Sequence, residues 1–215
     1  MSIKLTTLGM APPVAHGLVR DLRIRWALEE VGLPYEVELI DFATLKSEGF
    51  RKRQPFQQVP VYEEEGLVLF ESGAILLHVA GRSEKLLPGE PVARSRATAW
   101  VFSALNSVEP PLNQLVTLDL FQNDEDWSSG ARPSILEAAE RRFTALESYL
   151  DGREFLEDRF TAGDLMMTTV LRIPRHCELL KGYPNLDAYR HRNEQRPAFQ
   201  KALNDQLKAF QATTF

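Results

Sequence analysis

The residues that suggest chemistry lie between positions 58 and 80, where a proline and a serine occupy unusual places. Two apolar runs, Val59–Tyr62 and Leu67–Phe70, flank an acidic turn that ends in a glycine and predict a β-hairpin. Pro60 lies inside the first run, although a proline removes a donor from the ladder. Ser72 begins an apolar run that predicts a helix, whose free N–H groups attract anions. The stretch therefore predicts a site for a small, peptide-like anionic ligand.

Each of these features also has a purely structural interpretation. A proline in a strand fits an edge or a bulge, and it is easier to accept if the Val59–Pro60 bond is cis. A serine at a helix start commonly acts as an N-cap, and Gly81 is well placed to stop the same helix. From the residues alone, both interpretations stay open.

Composition narrows the class of protein. The chain has 215 residues, of which 44% are hydrophobic and 26% charged, with a net charge of −5. This balance argues against nucleic-acid binding, and the apolar stretches are far shorter than a membrane span. The first residues lack the layout of a signal peptide, and the single cysteine, Cys177, cannot form an internal disulfide. We therefore expect a cytoplasmic protein.

The first part of the chain predicts a mixed α/β domain. Alternating apolar residues predict a strand over Ile3–Leu8 and a second one around Tyr35–Leu39. Between them, Asp21–Gly32 has the helical apolar period and ends at a glycine. This β-α-β unit predicts parallel pairing, and a short helix in Phe42–Phe50 precedes the hairpin. The predicted order is β-α-β-α-β-β-α.

The second part of the chain contains no convincing strand and predicts an all-helical domain. Polar residues predict a loop over Gln122–Pro133, and Pro174 should split a helix that begins at the Thr161-x-x-Asp164 capping box. Glycines and prolines mark a linker before this part. We expect a domain over residues 1–82, a linker over 83–91 and a helical domain over 92–215.

The sequence resembles the cytosolic glutathione S-transferase superfamily. Four stretches carry the resemblance in the order typical of the family: Arg23–Glu36, Gln54–Ser72, Leu87–Pro88 and Phe160–Met167. The resemblance implies a thioredoxin-like N-terminal domain followed by a C-terminal helical domain. It also implies glutathione as cosubstrate, no metal, and a homodimer.

The resemblance also assigns glutathione contacts. It implies that the backbone of Val59, held by Pro60, pairs with the cysteinyl part of glutathione, which is strand addition to an exposed edge. Gln58, Glu71 and Ser72 would contact the γ-glutamyl end. Arg51, in the basic run Arg51–Arg53, would reach the glycyl carboxylate. A solvated surface helix is the alternative for that run.

The loop that should hold the catalytic group departs from the family pattern. Members of the family usually use Tyr, Ser or Cys after the first strand, but Leu8–Arg20 contains none of these. We predict that Arg20, a permanent cation, stabilises the glutathione thiolate, with His16 as a second donor or base. The alternatives are that Arg20 pairs with Asp21 or another acid and that His16 is solvated.

The electrophile pocket should lie between this loop and the first helix of the helical domain. We expect Met10, Ser103 and Asn106 to contribute to it. A buried hydrogen bond near the bend at Pro110–Pro111 is the alternative for Asn106. The predicted function is conjugation of glutathione to small hydrophobic electrophiles, in the manner of detoxifying transferases. A different glutathione-dependent enzyme, such as a peroxidase, isomerase or dehalogenase, and a non-catalytic glutathione-binding protein are the alternatives.

Overall fold

The structure, a computed structural model, describes residues 2–123 and 126–212. The chain divides into two compact units: unit 1 comprises residues 1–88 and 196–215, and unit 2 comprises residues 89–195. In the described ranges, no helix combines the length and the apolar character needed to cross a membrane.

Unit 1 contains a four-stranded sheet and the helices around it. Its elements are β1 (Ile3–Leu8), α1 (Asp21–Val31), β2 (Tyr35–Ile40), α2 (Phe42–Leu45), α3 (Glu48–Arg51), β3 (Val61–Glu64), β4 (Leu67–Leu69), α4 (Ser72–Ala80) and α10 (Pro197–Ala212), with a 3-10 turn at Pro13–Ala15. The strand order is β2-β1-β3-β4. β1 and β2 are parallel, whereas β3 is antiparallel to both β1 and β4. The predicted β-α-β-α-β-β-α order is thus confirmed, with the Phe42–Phe50 helix split in two.

The hairpin differs from its prediction at the start of its first strand. β3 begins at Val61 instead of Val59, because Pro60 has no N–H to donate to the ladder. The Val59–Pro60 peptide bond is cis, as expected. Glu65 and Gly66 have φ angles of 48° and 84°, the left-handed pair that closes a two-residue turn with the twist of the flanking strands.

Helix α1 is the centre of packing in unit 1, because it contacts both α4 and α10. Trp26 of α1 is fully buried, and its ring meets that of Phe199 on α10 edge to face, with centroids 4.8 Å apart. From the sequence we expect α10 in the helical domain, within residues 92–215, but its contacts group it with residues 1–88. The other boundary, between Pro88 and Gly89, falls inside the predicted linker.

Unit 2 is entirely helical over its described residues. Its elements are α5 (Pro91–Ser103), a π-helical turn (Ala104–Val108), α6 (Glu109–Phe121), α7 (Asp126–Tyr149), α8 (Ala162–Leu171), 3-10 turns at Ile173–Cys177 and Leu179–Gly182, and α9 (Pro184–Glu194). Helix α8 is buried along its whole length and packs against α5 and α9. At Gly163 a Cβ would lie 2.6 Å from the Cβ of Trp100, so only glycine permits this approach of α8 to α5.

Two prolines of unit 2 differ in their effect on helices: Pro174 interrupts one as predicted, whereas Pro133 lies inside one. Helix α8 ends at Leu171, and Pro174 lies in the first turn of the 3-10 segment that follows, which confirms the prediction that Pro174 interrupts the helix. The loop predicted over 122–133 is wrong for residues 126–133, because α7 already begins at Asp126 and contains Pro133. The capping box is present: Asp164 accepts from the backbone N–H of Thr161 at 2.8 Å and from that of Leu156 at 2.8 Å.

Candidate functional site

Strand register brings the predicted glutathione-binding segments to one edge of the sheet, the edge that the carboxyl ends of β1 and β4 and the amino end of β3 form. The antiparallel pairing Thr6↔Val61 places the amino end of β3 beside the carboxyl end of β1. The pairing Tyr62↔Leu69 places the carboxyl end of β4 at the same edge. Residues 59–60, the loop after β1 and the start of α4 therefore meet there, since each directly adjoins one of these strand ends.

The start of α4 has the geometry of an anion site. Ser72 is its first helical residue and is buried, and its Oγ accepts a hydrogen bond from Nη1 of Arg23 at 3.1 Å. Glu71, not Ser72, is the N-cap, so the capping interpretation of Ser72 is wrong. The helix N-terminus and the buried guanidinium of Arg23 together favour negative charge beside the Ser72 hydroxyl. Glu71 itself is exposed and has a φ of 69°, in the left-handed region that costs free energy for a non-glycine residue.

Val59 is anchored by its side chain and lies outside the strand ladder. The side chain packs against a buried cluster formed by Ile40, Phe50 and Val61, and Pro60 is buried. The neighbouring Gln58 is exposed. Anchoring of this kind fixes the backbone of residue 59, which is what strand addition by an extended ligand requires.

The loop before α1 is held by a glutamine from the last helix. Gln206 is fully buried; its Oε1 accepts from the N–H of Gly17 at 3.1 Å, and its Nε2 donates to the carbonyl of Val19 at 3.1 Å. The same Nε2 donates to Oδ1 of Asp21 at 2.6 Å. Asp21 is fully buried at the start of α1 and also accepts from Nε of Arg25 at 2.6 Å. Burial raises the pKa of the Asp21 carboxyl, and the charge of Arg25 opposes this rise.

The two predicted catalytic side chains differ in their surroundings. His16 is half-buried; its Nε2 donates to the carbonyl of Ala11 at 2.9 Å, and its ring stacks on Phe210 with centroids 5.0 Å apart. Arg20 is half-buried at the N-cap of α1, one turn before the Arg23 that contacts Ser72. Asp21, the first residue of α1, pairs with Arg25, and the role of Arg20 stays a prediction.

The basic run Arg51–Arg53, at the end of α3, lies in two different environments. Arg51 is exposed; it pairs with Glu48 at 3.0 Å and donates to Oε1 of Gln57 at 3.1 Å. Arg53 lies between Glu38 and Glu63, at 2.8 Å and 2.6 Å. These contacts hold Arg53 on the sheet, so Arg51 is the better placed of the two to meet a carboxylate from solvent.

The three residues predicted to contact the electrophile belong to different units, and their roles stay predictions. Met10 is exposed in the loop of unit 1. Ser103 ends α5 and is half-buried. Asn106 is exposed in the π-helical turn, so the alternative of a buried hydrogen bond is wrong. Such π-helical turns occur frequently at functional sites.

Sequence reasoning missed two contributors to this edge of unit 1, Arg23 and Gln206. Arg23 occurs within a helix whose apolar period was clear, but nothing in its spacing indicates a partner 49 positions away. Gln206 contacts residues 185 to 189 positions earlier in the chain. The Asp21–Arg25 pair, in contrast, could have been predicted, because oppositely charged residues four positions apart lie on the same face of a helix.

Comparison with known proteins agrees with this geometry. The family model for the glutathione S-transferase N-terminal domain matches residues 15–81. Glutathione S-transferase 1 of Zea mays is 30% identical over 211 residues, which cover 89% of this chain and 96% of the relative. This chain belongs to the glutathione S-transferase family. A second family member, the transferase GST-4.5 of Xanthomonas campestris pv. campestris, is 25% identical and matches 82% of this chain and 87% of its own length.

Solved glutathione transferases are similar in fold over most of this chain. One from Burkholderia graminis has two glutathione molecules bound per subunit; it is 26% identical, with a TM-score of 0.82 over 94% of this chain and 88% of that chain. A family member from Pseudomonas fluorescens, also with two glutathione molecules, is 25% identical with a TM-score of 0.81, covering 94% of this chain and 92% of that chain. The thioredoxin-like domain and the helical portion predicted from the sequence are therefore both confirmed.

Proposed function

We propose that this glutathione S-transferase family member binds glutathione at the sheet edge of unit 1 and conjugates its thiolate to small hydrophobic electrophiles. The observation that carries the proposal is the buried Ser72 hydroxyl at the start of α4, next to the Arg23 guanidinium. Hydroxyl, helix N-terminus and guanidinium together suit the γ-glutamyl carboxylate of glutathione. Glutathione bound in the Burkholderia graminis and Pseudomonas fluorescens relatives supports the same ligand.

The remaining contacts follow from the shape of glutathione. The fixed backbone of Val59, beside Pro60, pairs with its cysteinyl part, while Gln58 and Glu71 hold the γ-glutamyl ammonium end. Arg51 meets the glycyl carboxylate. This arrangement leaves the thiol at the loop that precedes α1, since that loop adjoins the same sheet edge.

Arg20 is our first candidate for the catalytic group. The thiol of glutathione has an ordinary pKa of about 8.5, so the enzyme must favour the thiolate, which is the nucleophile. A guanidinium at the N-cap of α1 supplies a permanent charge there, and the helix N-terminus adds to it. His16 is the second candidate, although its Nε2 already donates to Ala11. We further propose a cytoplasmic homodimer, as the family resemblance implies.

The test combines glutathione binding with turnover. Calorimetry should show glutathione binding, and an activated aryl chloride should be conjugated. Arg20→Ala should lower kcat/KM about 10²-fold or more and raise the pKa of the bound thiol, since it removes one group that stabilises the reacting anion. Arg141→Ala is the control and should change neither quantity, because Arg141 is an exposed arginine of α7 that pairs with Glu137 one helical turn earlier.

Three outcomes distinguish the alternatives. Glutathione binding with reduction of an organic hydroperoxide but no conjugation would support a peroxidase. Binding without turnover of any electrophile would support a non-catalytic member, which the lack of Tyr, Ser and Cys in the loop favours. An unchanged thiol pKa and rate in Arg20→Ala would remove Arg20 from the mechanism and leave His16→Gln as the next variant to measure.

A further inference from the structure

Three side chains that commonly bind metals meet in unit 2, in a part of the molecule that the proposed transferase reaction does not use. Asp119 lies near the end of α6, and His176 and Cys177 end the 3-10 turn that packs against this helix. One ligating atom of each side chain lies within 4.8 Å of those of the other two. All three residues are half-buried.

These three side chains supply the sulfur, nitrogen and oxygen donors that zinc binds in proteins. Zinc bonds of about 2.0–2.3 Å in tetrahedral geometry place two ligand atoms roughly 3.3–3.8 Å apart, so ligating atoms that lie up to 4.8 Å apart must approach each other by about 1 Å. Nε2 of His176 already lies 3.0 Å from Oδ2 of Asp119. Two elements of unit 2 therefore hold a donor set close to that of a bound ion.

A second observation concerns the other ring nitrogen of His176. Its Nδ1 atom is buried and has no hydrogen-bond partner among the described residues. A buried polar atom without a partner costs free energy and calls for a water or an ion. From these two observations we propose that Asp119, His176 and Cys177 form a binding site for a divalent zinc ion, with a position left open for water or a further ligand.

A neighbouring arginine limits the affinity of this site. Arg132 donates from Nε to Oδ1 of Asp119 at 2.6 Å and from Nη2 to Oδ2 at 3.0 Å. Its charge opposes a second cation. The Arg132 side chain is 41% exposed, and a cavity of about 190 Å³ lined by both residues leaves it room to turn away from Asp119. Arg132→Gln should therefore tighten metal binding by about tenfold.

Cobalt substitution provides a direct test of the site. Co²⁺ takes the place of Zn²⁺ at thiolate sites and produces a thiolate-to-cobalt charge-transfer band in the near ultraviolet. Because the chain contains one cysteine, any such band reports on Cys177 alone. Titration of the full chain with Co²⁺, in buffer free of glutathione and other thiols, should produce this band. Addition of Zn²⁺ should then remove it, and Zn²⁺ should raise the melting temperature.

Single variants separate the site from chance binding at a thiol. His176→Asn and Asp119→Asn should each weaken Co²⁺ binding at least tenfold, whereas His191→Asn, an exposed histidine of α9, should leave it unchanged. Cys177→Ser should abolish both the band and the Zn²⁺-dependent rise in melting temperature. Absence of the band in the natural chain, or equal affinity in the Asp119, His176 and His191 variants, would overturn the proposal.

Discussion

At the scale of single residues, the glutathione recognition that we propose depends most on the Ser72 hydroxyl. It is buried, it lies at the N-terminus of α4, and it already accepts one hydrogen bond from Arg23. Because its orientation is fixed beforehand, a hydroxyl in this position does not need to rearrange when a ligand binds. That is the structural condition for a tight and selective contact with a carboxylate.

Ser72→Ala should weaken glutathione binding by about tenfold or more, since hydrogen bonds to charged groups contribute about 1.5–3 kcal/mol. Isothermal titration calorimetry measures the change directly. Ser95→Ala is the matched control, because Ser95 is exposed and its hydroxyl donates within α5 to the carbonyl of Pro91. Equal affinity of the natural chain and Ser72→Ala would show that the helix N-terminus binds the carboxylate without the hydroxyl.

A second single residue, Glu64, should give unit 1 a pH-dependent stability. Hydrogen bonds from Arg82 and Tyr62 hold the pKa of its nearly buried carboxyl below the usual 4.5. Its contribution is therefore complete above pH 4.5 and is lost as the pH falls through the lower pKa of the folded state. Glu64→Gln should lower the free energy of unfolding by about 1–3 kcal/mol near pH 7.

Urea unfolding over a pH series checks this prediction. The difference between the natural chain and Glu64→Gln should stay constant from about pH 7 to pH 5.5 and shrink below pH 4.5. Glu65→Gln, at the exposed hairpin turn, should show no such trend. A difference that grows on acidification would mean that the carboxylate destabilises the folded state.

At the scale of elements, the loop between β1 and α1 depends on a helix from the far end of the sequence. Gln206 satisfies an N–H, a carbonyl and a carboxylate of this loop and of the α1 start. We expect Gln206 to act as a positioning residue for the loop that holds Arg20. It contacts no group assigned to the substrate, so its effect on turnover must pass through the loop.

Gln206→Leu keeps the side-chain volume and removes these hydrogen bonds. Amide hydrogen exchange at Gly17 should become faster, kcat/KM should fall, and the pH profile of turnover should shift upward because Arg20 is held less firmly. Gln211→Leu, at an exposed position of the same helix, serves as the control. If Gln206 only stabilises the fold, Gln206→Leu will have a lower free energy of unfolding, but the pH profile of the folded enzyme will be unchanged.

The elements that could be predicted are those whose signals are local. Gly32 stops α1 because its φ of 74° suits glycine, and the alternating Tyr35, Val37 and Leu39 form the expected strand. The start of α7 could not be predicted, because polar residues and Pro133 outweigh its apolar period. The unit against which α10 packs could not be predicted either. The apolar face of an amphipathic helix indicates that the helix packs against something, but not against which element.

The same distinction applies to the site. The segment from Val59 to Ser72 could be proposed from sequence because proline, serine and the hairpin turn act through their nearest neighbours. The contacts of Arg23 and Gln206 are made across the fold, at separations of 49 residues and of more than 180 residues. No local pattern encodes such pairs, so only the folded chain reveals them.

At the scale of the whole molecule, the two ends of the chain belong to one unit. The edge-to-face contact of Trp26 with Phe199 joins α1 to α10, and both rings are buried. Phe199→Ala should lower the free energy of unfolding by about 3–5 kcal/mol, the usual cost of removing a buried phenylalanine. Amide exchange should become faster in α1 first.

Phe121→Ala is the matched control, because Phe121 is 64% exposed at the end of α6 and should cost little. Denaturant unfolding of both variants, side by side, gives the comparison. A loss of equal size in both variants, or no loss in Phe199→Ala, would mean that α10 is not part of the core of unit 1.

The return of the chain to unit 1 after residue 195 imposes an order on biosynthesis. A ribosome that adds about 5–20 residues per second makes the whole of unit 2 in roughly 5–20 s, and during that time the nascent sheet lacks α10. Unit 2, which is continuous in sequence, can finish folding first. The hydrogen bonds of Gln206 to Gly17 and Asp21 can form only after unit 2 has been translated. The loop that holds Arg20 is therefore made before unit 2 but gains its last contacts after unit 2.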